Sequence, residues 1–178
     1  APLWKIGDKW TYQNVSRVVF TIEVVDTKES LFILKIPRIE NLLAYDKKTM
    51  NCLFLIGKDG KKVNNTDDPF KNLFNFPIFV GKKWAYTTST SWGSYNKLNE
   101  FKIEGIEEVV TPAGKFMAYK ISNQQRILQV QAVALRGGPT EGWVRYWYSP
   151  EVKTWVKREV EKSAYWVRET WQNGRAHV

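Results

Sequence analysis

The amino-acid sequence predicts an all-β protein whose strands form a single curled antiparallel sheet, a half-barrel or open barrel. Apolar and polar residues alternate with period two through much of the chain. The alternating segments are rich in valine, isoleucine, threonine and aromatic residues, and turn-forming residues separate them. With 178 residues, 43% of them hydrophobic, the chain is long enough for one domain with its own core.

Strands that follow one another along the chain are expected to pair antiparallel, because the segments between them are short turns. Lys58-Asp59-Gly60, Thr111-Pro112-Ala113-Gly114, the glycine-rich stretch 137–142 and Ser149-Pro150 supply the positive φ angles and fixed prolines that hairpins use. The predicted strands are 8–15, 17–26, 30–37, 39–46, 51–57, 82–90, 97–108, 115–124, 126–135, 143–149, 153–160 and 163–171.

A weak internal repeat runs through these strands. The segment Ile6–Tyr12 (IGDKWTY) matches Val80–Tyr86 (VGKKWAY), and a proline-containing apolar stretch precedes each. Further along, Phe20–Glu23 (FTIE) resembles Phe101–Glu104 (FKIE). An internal repeat of this kind is typical of a fold that is assembled from two similar units.

We therefore predict two similar β-meanders, roughly residues 1–65 and 77–171. Neither meander can bury a sheet face alone, so the two are expected to form one sheet within a single domain, residues 1–178. Trp10 and Trp84 occupy the same place in the two copies and are predicted core anchors. A sheet of ten or more twisted strands tends to curl or close, which predicts the half-barrel shape.

A short helix is predicted near residues 68–75, between the two copies. Asp68 can cap this helix and Pro69 suits its first turn. Its apolar face consists of Phe70, Leu73 and Phe74. This face is expected to fill the concave side of the sheet, either completing the core or forming a lid over a ligand.

The chain is basic over its whole length. Lysine and arginine number 27 against 18 acidic residues, a formal charge of +9, and the sequence pI is about 9.6. Such a charge favours acidic partners, although an even spread also suits a solvated surface. The densest basic cluster consists of Lys47, Lys48, Lys58, Lys61 and Lys62.

Most familiar catalytic and metal sites are excluded by residue counts. A single cysteine, Cys52, and a single histidine, His177, cannot form a disulfide, a Cys/His zinc cluster or a histidine-dependent triad. The acidic residues Glu23 and Glu104 lie between apolar strand neighbours and are expected to be solvated charges rather than a glycosidase pair. The sequence therefore predicts a protein that is not an enzyme and has no cofactor and no metal.

Two features bear on the compartment. The chain begins at Ala1 without a preceding methionine, as expected of a mature exported chain after signal removal. The longest apolar stretches, such as Leu53–Ile56 and Phe76–Val80, are far shorter than the roughly 20 residues of a transmembrane helix. We therefore expect a periplasmic, secreted or envelope-associated protein without a transmembrane segment.

Three motifs carry a family resemblance over residues 6–160. They are Gly7–Tyr12 (GDKWTY), Thr111–Phe116 (TPAGKF) and Trp147–Pro150 (WYSP). Together they resemble a large group of uncharacterised bacterial exported β-proteins, classed as a domain of unknown function, with GDxWxY, TPAGxF and WYSP motifs. The resemblance implies the fold and no catalytic residue. More loosely, such sheets look like the half-barrels that carry lipoproteins or lipids across the periplasm.

Aromatic residues make up 15% of the chain, including nine tryptophans, and are the compositional feature most open to a functional interpretation. Trp143, Arg145 and Trp147 alternate on one face of a predicted strand, and Trp155 begins a similar alternation with Lys157 on the next. If those faces match, they would line a concave pocket for an amphiphile with an anionic head, or a convex platform for sugar or nucleic acid.

The sequence thus predicts an exported protein that binds a hydrophobic or amphiphilic ligand, such as a lipid, or an envelope protein, on its concave aromatic face. The alternative is a basic surface module for acidic polysaccharide or, less favoured, nucleic acid, whose binding would weaken steeply with salt. The predicted ligand-binding residues are Trp143, Arg145, Trp147, Trp155, Phe70, Leu73 and Phe74.

Overall fold

The computed structural model describes residues 1–14, 16–37, 40–63, 73–89, 95–130, 142–162 and 167–177. Within these ranges twelve strands form one antiparallel sheet, and no helix is present. The strands are β1 (Lys9–Asn14), β2 (Val19–Thr27), β3 (Leu31–Lys35), β4 (Leu42–Asp46), β5 (Cys52–Ile56), β6 (Lys62–Val63), β7 (Lys83–Ser89), β8 (Tyr95–Thr111), β9 (Gly114–Val130), β10 (Gly142–Ser149), β11 (Thr154–Lys162) and β12 (Val167–His177).

The sheet consists of two meanders joined by their first and last strands. Its strand order is β6-β5-β4-β3-β2-β1-β12-β11-β10-β9-β8-β7, with β1 antiparallel to β12. The described edge strands, β6 and β7, are not paired with each other, so the sheet stays open. Residues from the β4–β5 turn and from β7 nevertheless line one pocket, which requires the sheet to curl. The predicted all-β fold with a single curled sheet is confirmed.

Several predicted strand boundaries were wrong. The predicted strands 115–124 and 126–135 are continuous in one strand, β9, as far as Val130, and residues 131–135 lie outside the described residues. The polar side chains of Asn123 and Gln125 within β9 are hydrogen-bonded across the sheet. Strand β12 extends to His177, beyond the predicted end at 171, because its last residues pair with β1. The two-residue strand β6 was not predicted.

Residues 68–72 of the predicted helix near 68–75, including Phe70, lie outside the described residues. Residues 73–75 are described and are not helical. Leu73 and Phe74 are buried, with 3% and 7% of their surface exposed, and the Phe74 ring packs edge-on against Tyr148 at 5.1 Å. These two side chains therefore pack in the core, one of the two predicted roles, in a segment that is not helical.

The two meanders begin with the same backbone turn. Gly7 and Gly81 have φ angles of 92° and 88°, a conformation that side-chain-bearing residues rarely adopt. The Gly7 N–H donates to the carbonyl of Val24 at 2.8 Å, and the Gly81 N–H donates to the carbonyl of Ile103 at 2.9 Å. Each glycine thus turns the chain into the first strand of its meander and ties it to the second.

Strand pairing after these turns is also the same in the two meanders. Trp10 lies opposite Ile22 in the β1–β2 pair, and Trp84 lies opposite Phe101 in the β7–β8 pair. The position that corresponds to Phe101 is therefore Ile22. The sequence match had aligned Phe101 with Phe20, two residues earlier, so that part of the alignment was wrong.

Most of the core lies on the sheet face that carries Trp10 and Tyr12, here called the concave face, although Trp147, 3% exposed, is buried on the opposite face. Both side chains are almost fully buried, at 1% and 0% exposed, and the Tyr12 ring stacks on Trp155 at 3.8 Å. The Trp10 Nε1–H donates to the carbonyl of Val152 at 2.9 Å, and the Tyr12 hydroxyl donates to that of Trp155 at 3.0 Å. The first meander is thereby fastened to the β10–β11 turn of the second.

Candidate functional site

The concave face is almost completely filled at its centre. A residual cavity of about 30 Å³ remains between the meanders. Its lining residues include Trp155, Leu73 and Phe74, three of the predicted ligand-binding residues, together with Trp4, Trp10, Ile22, Leu34, Tyr45, Met50 and Thr154. About one water molecule fits in such a space. These side chains therefore act as core residues here.

A β-bulge separates Trp155 from the tryptophans of the neighbouring strand. Trp147 pairs with Lys157, whereas the next residue, Tyr148, pairs with Trp155, so Val156 has no opposite partner. Because the extra residue reverses the side-chain alternation, Trp155 points to the concave face and Lys157 to the opposite face, here called the outer face. The prediction that Trp155 and Lys157 share one face was wrong.

Trp147 lies on the outer face within a network of charged side chains. Its indole Nε1–H donates to the Glu107 carboxylate at 2.6 Å, and the Lys157 ammonium lies 4.6 Å from the ring centroid. Lys157 also bonds Glu159 at 2.7 Å, and Lys120 lies 3.7 Å from Glu104. The cations around this ring are therefore paired with carboxylates of the protein itself, which reduces their attraction for an external polyanion.

Trp143 and Arg145 share the outer face with Trp147 in strand β10. Trp143 is 38% exposed, and Arg145 forms an ion pair with Glu161 at 3.6 Å. The predicted set thus divides between the two faces of the sheet. Trp143, Arg145 and Trp147 lie together on the outer face, whereas Trp155 lies with Leu73 and Phe74 on the concave side.

A larger opening, here called the mouth pocket, lies where the β4–β5 turn approaches strand β7 across the curled sheet. Its volume is about 380 Å³, within the range of about 300–1,000 Å³ that is usual for ligand pockets. It is lined by Lys48, Thr49, Asn51, Phe74, Asn75, Phe76, Trp84, Ala85 and Tyr86. Of the predicted ligand-binding residues in the described part of the chain, only Phe74 lines this pocket.

The aromatic wall of the mouth pocket is formed by two half-buried rings. Trp84 stacks on Phe101 with ring centroids 4.9 Å apart and planes 6° apart, and Tyr86 stacks on the same ring at 5.6 Å. Phe101 therefore supports both rings beside the pocket. Trp84 is half-buried, so it is less deeply placed than the predicted role of core anchor implies.

The polar wall of the pocket is held by the turn after strand β4. The Asp46 Oδ1 atom accepts bonds from the Thr49 hydroxyl at 2.8 Å and from the Thr49 and Lys48 backbone N–H groups at 2.6 and 3.1 Å. These contacts fix the residues that present Lys48, Thr49 and Asn51 to the pocket. The Asn51 Oδ1 atom is buried and, among the described residues, has no hydrogen-bond partner.

Replacing Asp46 by asparagine is expected to destabilise the fold most at neutral pH and least in acid. The Thr49 hydroxyl, followed by the backbone N–H groups of Thr49 and Lys48, lowers the pKa of Asp46 below its ordinary value of 3.8. A lowered folded-state pKa gives stability that is present above 3.8 and lost as pH falls through the folded value. Urea denaturation of both proteins from neutral to acid pH should give curves that converge, and a constant difference would contradict this.

The concave face becomes polar beyond Tyr86 along the strands of the second meander. The Asn99 Nδ2 group donates to the Thr88 hydroxyl at 3.3 Å, and Asn99 Oδ1 accepts from Asn123 at 3.4 Å and from Gln125 at 3.1 Å. These four residues, Thr88, Asn99, Asn123 and Gln125, are here called the amide cluster. Asn99 lies directly opposite Tyr86, so the cluster adjoins the aromatic wall of the mouth pocket.

Sequence reasoning missed the mouth pocket and the amide cluster. Lys48 stood out only as a member of the densest basic cluster, and Trp84 only as a core anchor. The polar run Ser122–Gln125, inside an otherwise apolar strand pattern, was the one available signal for the amide cluster.

Other site types find no support in the described ranges. No group of three or more His, Cys, Asp and Glu side chains in them is arranged to hold a metal ion. Cys52 is buried. In the same ranges, no helix has the length and apolar character needed to cross a membrane.

The fold and its pockets define an all-β protein with an open, curled sheet and a pocket on the concave side. A candidate exported protein with a YmcC-like fold from Bacteroides fragilis is similar over 98% of this chain and 97% of its own, with 13% identity and a TM-score of 0.49. A candidate lipoprotein from Parabacteroides distasonis is similar over 97% and 96%, with 13% identity and a TM-score of 0.50.

The hypothetical lipoprotein YmcC from Escherichia coli is similar over 96% of this chain and 85% of its own, with 9% identity and a TM-score of 0.46. No protein-family profile matches the chain, and no curated protein matches it in sequence. At these identities the likeness to the Parabacteroides protein shows a shared fold only. The resemblance inferred from the GDxWxY, TPAGxF and WYSP motifs stays a prediction.

Proposed function

We propose that this is an exported, non-enzymatic binding protein that takes an amphiphilic ligand into the mouth pocket. The observation that carries the proposal is the pocket itself, about 380 Å³ in volume, with aromatic rings on one wall and amide and ammonium groups on the other. The central cavity of about 30 Å³ is too small for an acyl chain, so the ligand site moves from the centre of the concave face to its mouth. The similar candidate lipoprotein supports an envelope location.

The mouth pocket suits the apolar part of an amphiphile. The Trp84 and Tyr86 rings, held by Phe101, offer rigid apolar surface that loses little conformational freedom when a chain packs on it. Across the pocket, the unpartnered Asn51 Oδ1 atom can accept a hydrogen bond, and the Lys48 ammonium lies on the same turn. A water molecule or a ligand hydroxyl there would satisfy this buried acceptor, whose lack of a partner otherwise lowers stability.

Binding rather than catalysis follows from the chemistry of these side chains. The mouth pocket presents aromatic, amide, hydroxyl and ammonium groups. In the described lining of the pocket the titratable side chains are Lys48 and Tyr86, and no carboxylate, histidine or cysteine is among them. This composition supports the holding of a ligand rather than its conversion.

Filling the pocket is the test. Asn75 is exposed and lines the pocket, so Asn75→Trp should occupy it without disturbing the core. We expect wild-type protein to bind dodecyl β-D-glucoside, below its micelle concentration, in isothermal titration calorimetry. The variant should bind at least tenfold more weakly, because the new indole takes the space of the chain.

Lys61→Trp is the matched control, since the Lys61 side chain is 83% exposed and does not line the pocket. This variant should bind as wild type does. Equal binding by Asn75→Trp would overturn the proposal, as would absence of glucoside binding in the wild type. Binding of polyglucuronate that falls steeply with salt, with no glucoside binding, would instead favour the basic surface module.

A further inference from the structure

Arg158 is a cation on the concave face of the second meander. It lies opposite Tyr146 in the β10–β11 pair, and its guanidinium lies 5.8 Å from the centroid of the Tyr146 ring. Tyr146 is 3% exposed and belongs to the core. The side chain of Arg158 therefore points into the curled sheet rather than away from it.

Among the side chains that the structure describes, no carboxylate forms an ion pair with Arg158, and the Arg158 Nε atom is buried without a hydrogen-bond partner. The outer face of the same strands differs. There Lys120, Arg145 and Lys157 each contact a glutamate. A buried donor without an acceptor is costly, so the Nε–H group of Arg158 offers a hydrogen bond that a ligand can accept.

A second unpartnered group lies nearby on the same face. Asn123 is 3% exposed, its Nδ2 group is used by Asn99, and its Oδ1 atom is buried without a partner among the described residues. Asn123 in β9 pairs with Val144 in β10. Arg158 lies on the following strand, β11, opposite Tyr146, which is two residues from Val144. An acceptor that lacks a donor and a donor that lacks an acceptor thus lie on the same concave face, two strands apart.

The strand register gives the distance along the sheet between this place and the mouth pocket. One row of paired residues across five strands contains Trp84, Phe101, Asn123, Val144 and Val160. Arg158 lies on the same strand as Val160, two residues away from it. Four spacings of about 4.8 Å give about 19 Å along the sheet, and the curl shortens the path across its concave side. An alkyl chain with one sugar ring has the length to reach from the Trp84 ring toward Arg158.

We propose that Arg158 and Asn123 recognise the head group of the ligand, and that this head group is an acidic sugar. Its carboxylate would accept from the Arg158 guanidinium, which offers several donors in one plane, and a sugar hydroxyl would donate to Asn123 Oδ1. The amide cluster supplies further hydrogen-bonding groups beside them. This inference rests on the proposed function, since it assigns the head group of the amphiphile held by the mouth pocket.

Two probes with the same tail separate the head-group site from the pocket. Dodecyl β-D-glucuronide and dodecyl β-D-glucoside differ in one carboxylate, and both are used below their micelle concentrations in isothermal titration calorimetry. We expect wild-type protein to bind the glucuronide about 10- to 100-fold more tightly, the usual effect of hydrogen bonds to a charged group. Arg158→Gln should abolish this preference by weakening glucuronide binding, and Arg158→Lys should keep part of it.

Arg145→Gln is the matched control, because Arg145 lies on the neighbouring strand but on the outer face, paired with Glu161. It should keep the full preference for the glucuronide. Arg158→Gln should melt at the same temperature as wild type or higher, since it removes an unpaired charge. Equal binding of the two glycosides by wild type, or a preference retained in Arg158→Gln, would overturn the head-group assignment alone. If wild type binds neither glycoside, the proposal that the mouth pocket binds an amphiphile is overturned as well.

Discussion

Replacement of Trp10 by alanine is expected to lower the free energy of unfolding by about 4 kcal/mol, the usual loss for a large aromatic side chain removed from a core. Trp10 is 1% exposed and packs against Trp4 at 5.1 Å. Its loss also leaves the buried carbonyl of Val152 without the indole donor. Trp84→Ala, at the corresponding position of the second meander, should lose only about 2 kcal/mol, because the Trp84 ring is half-buried.

Urea denaturation at equilibrium, followed by far-ultraviolet circular dichroism, measures both losses. A loss of about 4 kcal/mol approaches the whole stability of a small domain, so Trp10→Ala can fall below the folding threshold. Trp10→Phe keeps a ring but removes the bond to Val152, and should lose about 1–2 kcal/mol. Equal losses for Trp10→Ala and Trp84→Ala would show that the two meanders bury their tryptophans alike, contrary to the structure.

The fold was predictable because its determinants are local. Period-two alternation and the turns at Lys58–Gly60 and Thr111–Gly114 identify strands and antiparallel neighbours without knowledge of distant contacts. Boundaries that depend on distant partners were not predictable in the same way. Strand β12 reaches His177 because it pairs with β1, which lies at the other end of the sequence.

The candidate site was less predictable, because small irregularities and the curl of the sheet decide it. One extra residue, Val156, moves Trp155 to the face opposite Trp147, and the local sequence carries no signature of that bulge. The mouth pocket requires Lys48 and Trp84 to approach each other although their strands are far apart in the sheet order. Such proximity is a property of the whole sheet rather than of a motif.

The internal repeat gains a structural argument from its turns. We propose that the meanders, predicted as residues 1–65 and 77–171 and observed as β1–β6 and β7–β12, are two copies of one unit and that they form a single domain. Two observations support the proposal that the meanders are copies of one unit. Gly7 and Gly81 donate equivalent hydrogen bonds, and in each meander a tryptophan lies opposite an apolar residue. The bonds from Trp10 and Tyr12 to the second meander support the single domain, because they couple the two halves.

Alkaline solution is expected to unfold the protein through two buried tyrosines. Burial, together with the nearby Tyr119, raises the pKa of Tyr148 to about 12. Burial also raises the pKa of Tyr12 well above its ordinary value, although a hydrogen bond with Thr154 partly opposes this effect. Both phenols therefore stay neutral in the folded protein at a pH where they ionise in the unfolded chain.

The direction of the effect follows from proton binding. A folded-state pKa above the ordinary value of 10.0 gives stability that is fully present below pH 10 and declines as pH rises toward the folded value, because the unfolded chain releases its proton first. At pH 11 each of these two tyrosines should lower the free energy of unfolding by about 1.4 kcal/mol, and the pair by roughly 3 kcal/mol.

Urea denaturation between pH 8 and pH 11 measures this decline, and absorbance at 295 nm follows tyrosine ionisation. Tyr148→Phe keeps the ring that packs on Phe74 and Phe76 but removes the phenol, so its stability should fall about half as much over the same range. If all eight tyrosines ionise while the circular dichroism of the folded sheet persists, Tyr12 and Tyr148 are reached by solvent. In that case the burial of Tyr12 and Tyr148 does not join the two meanders into one cooperative unit.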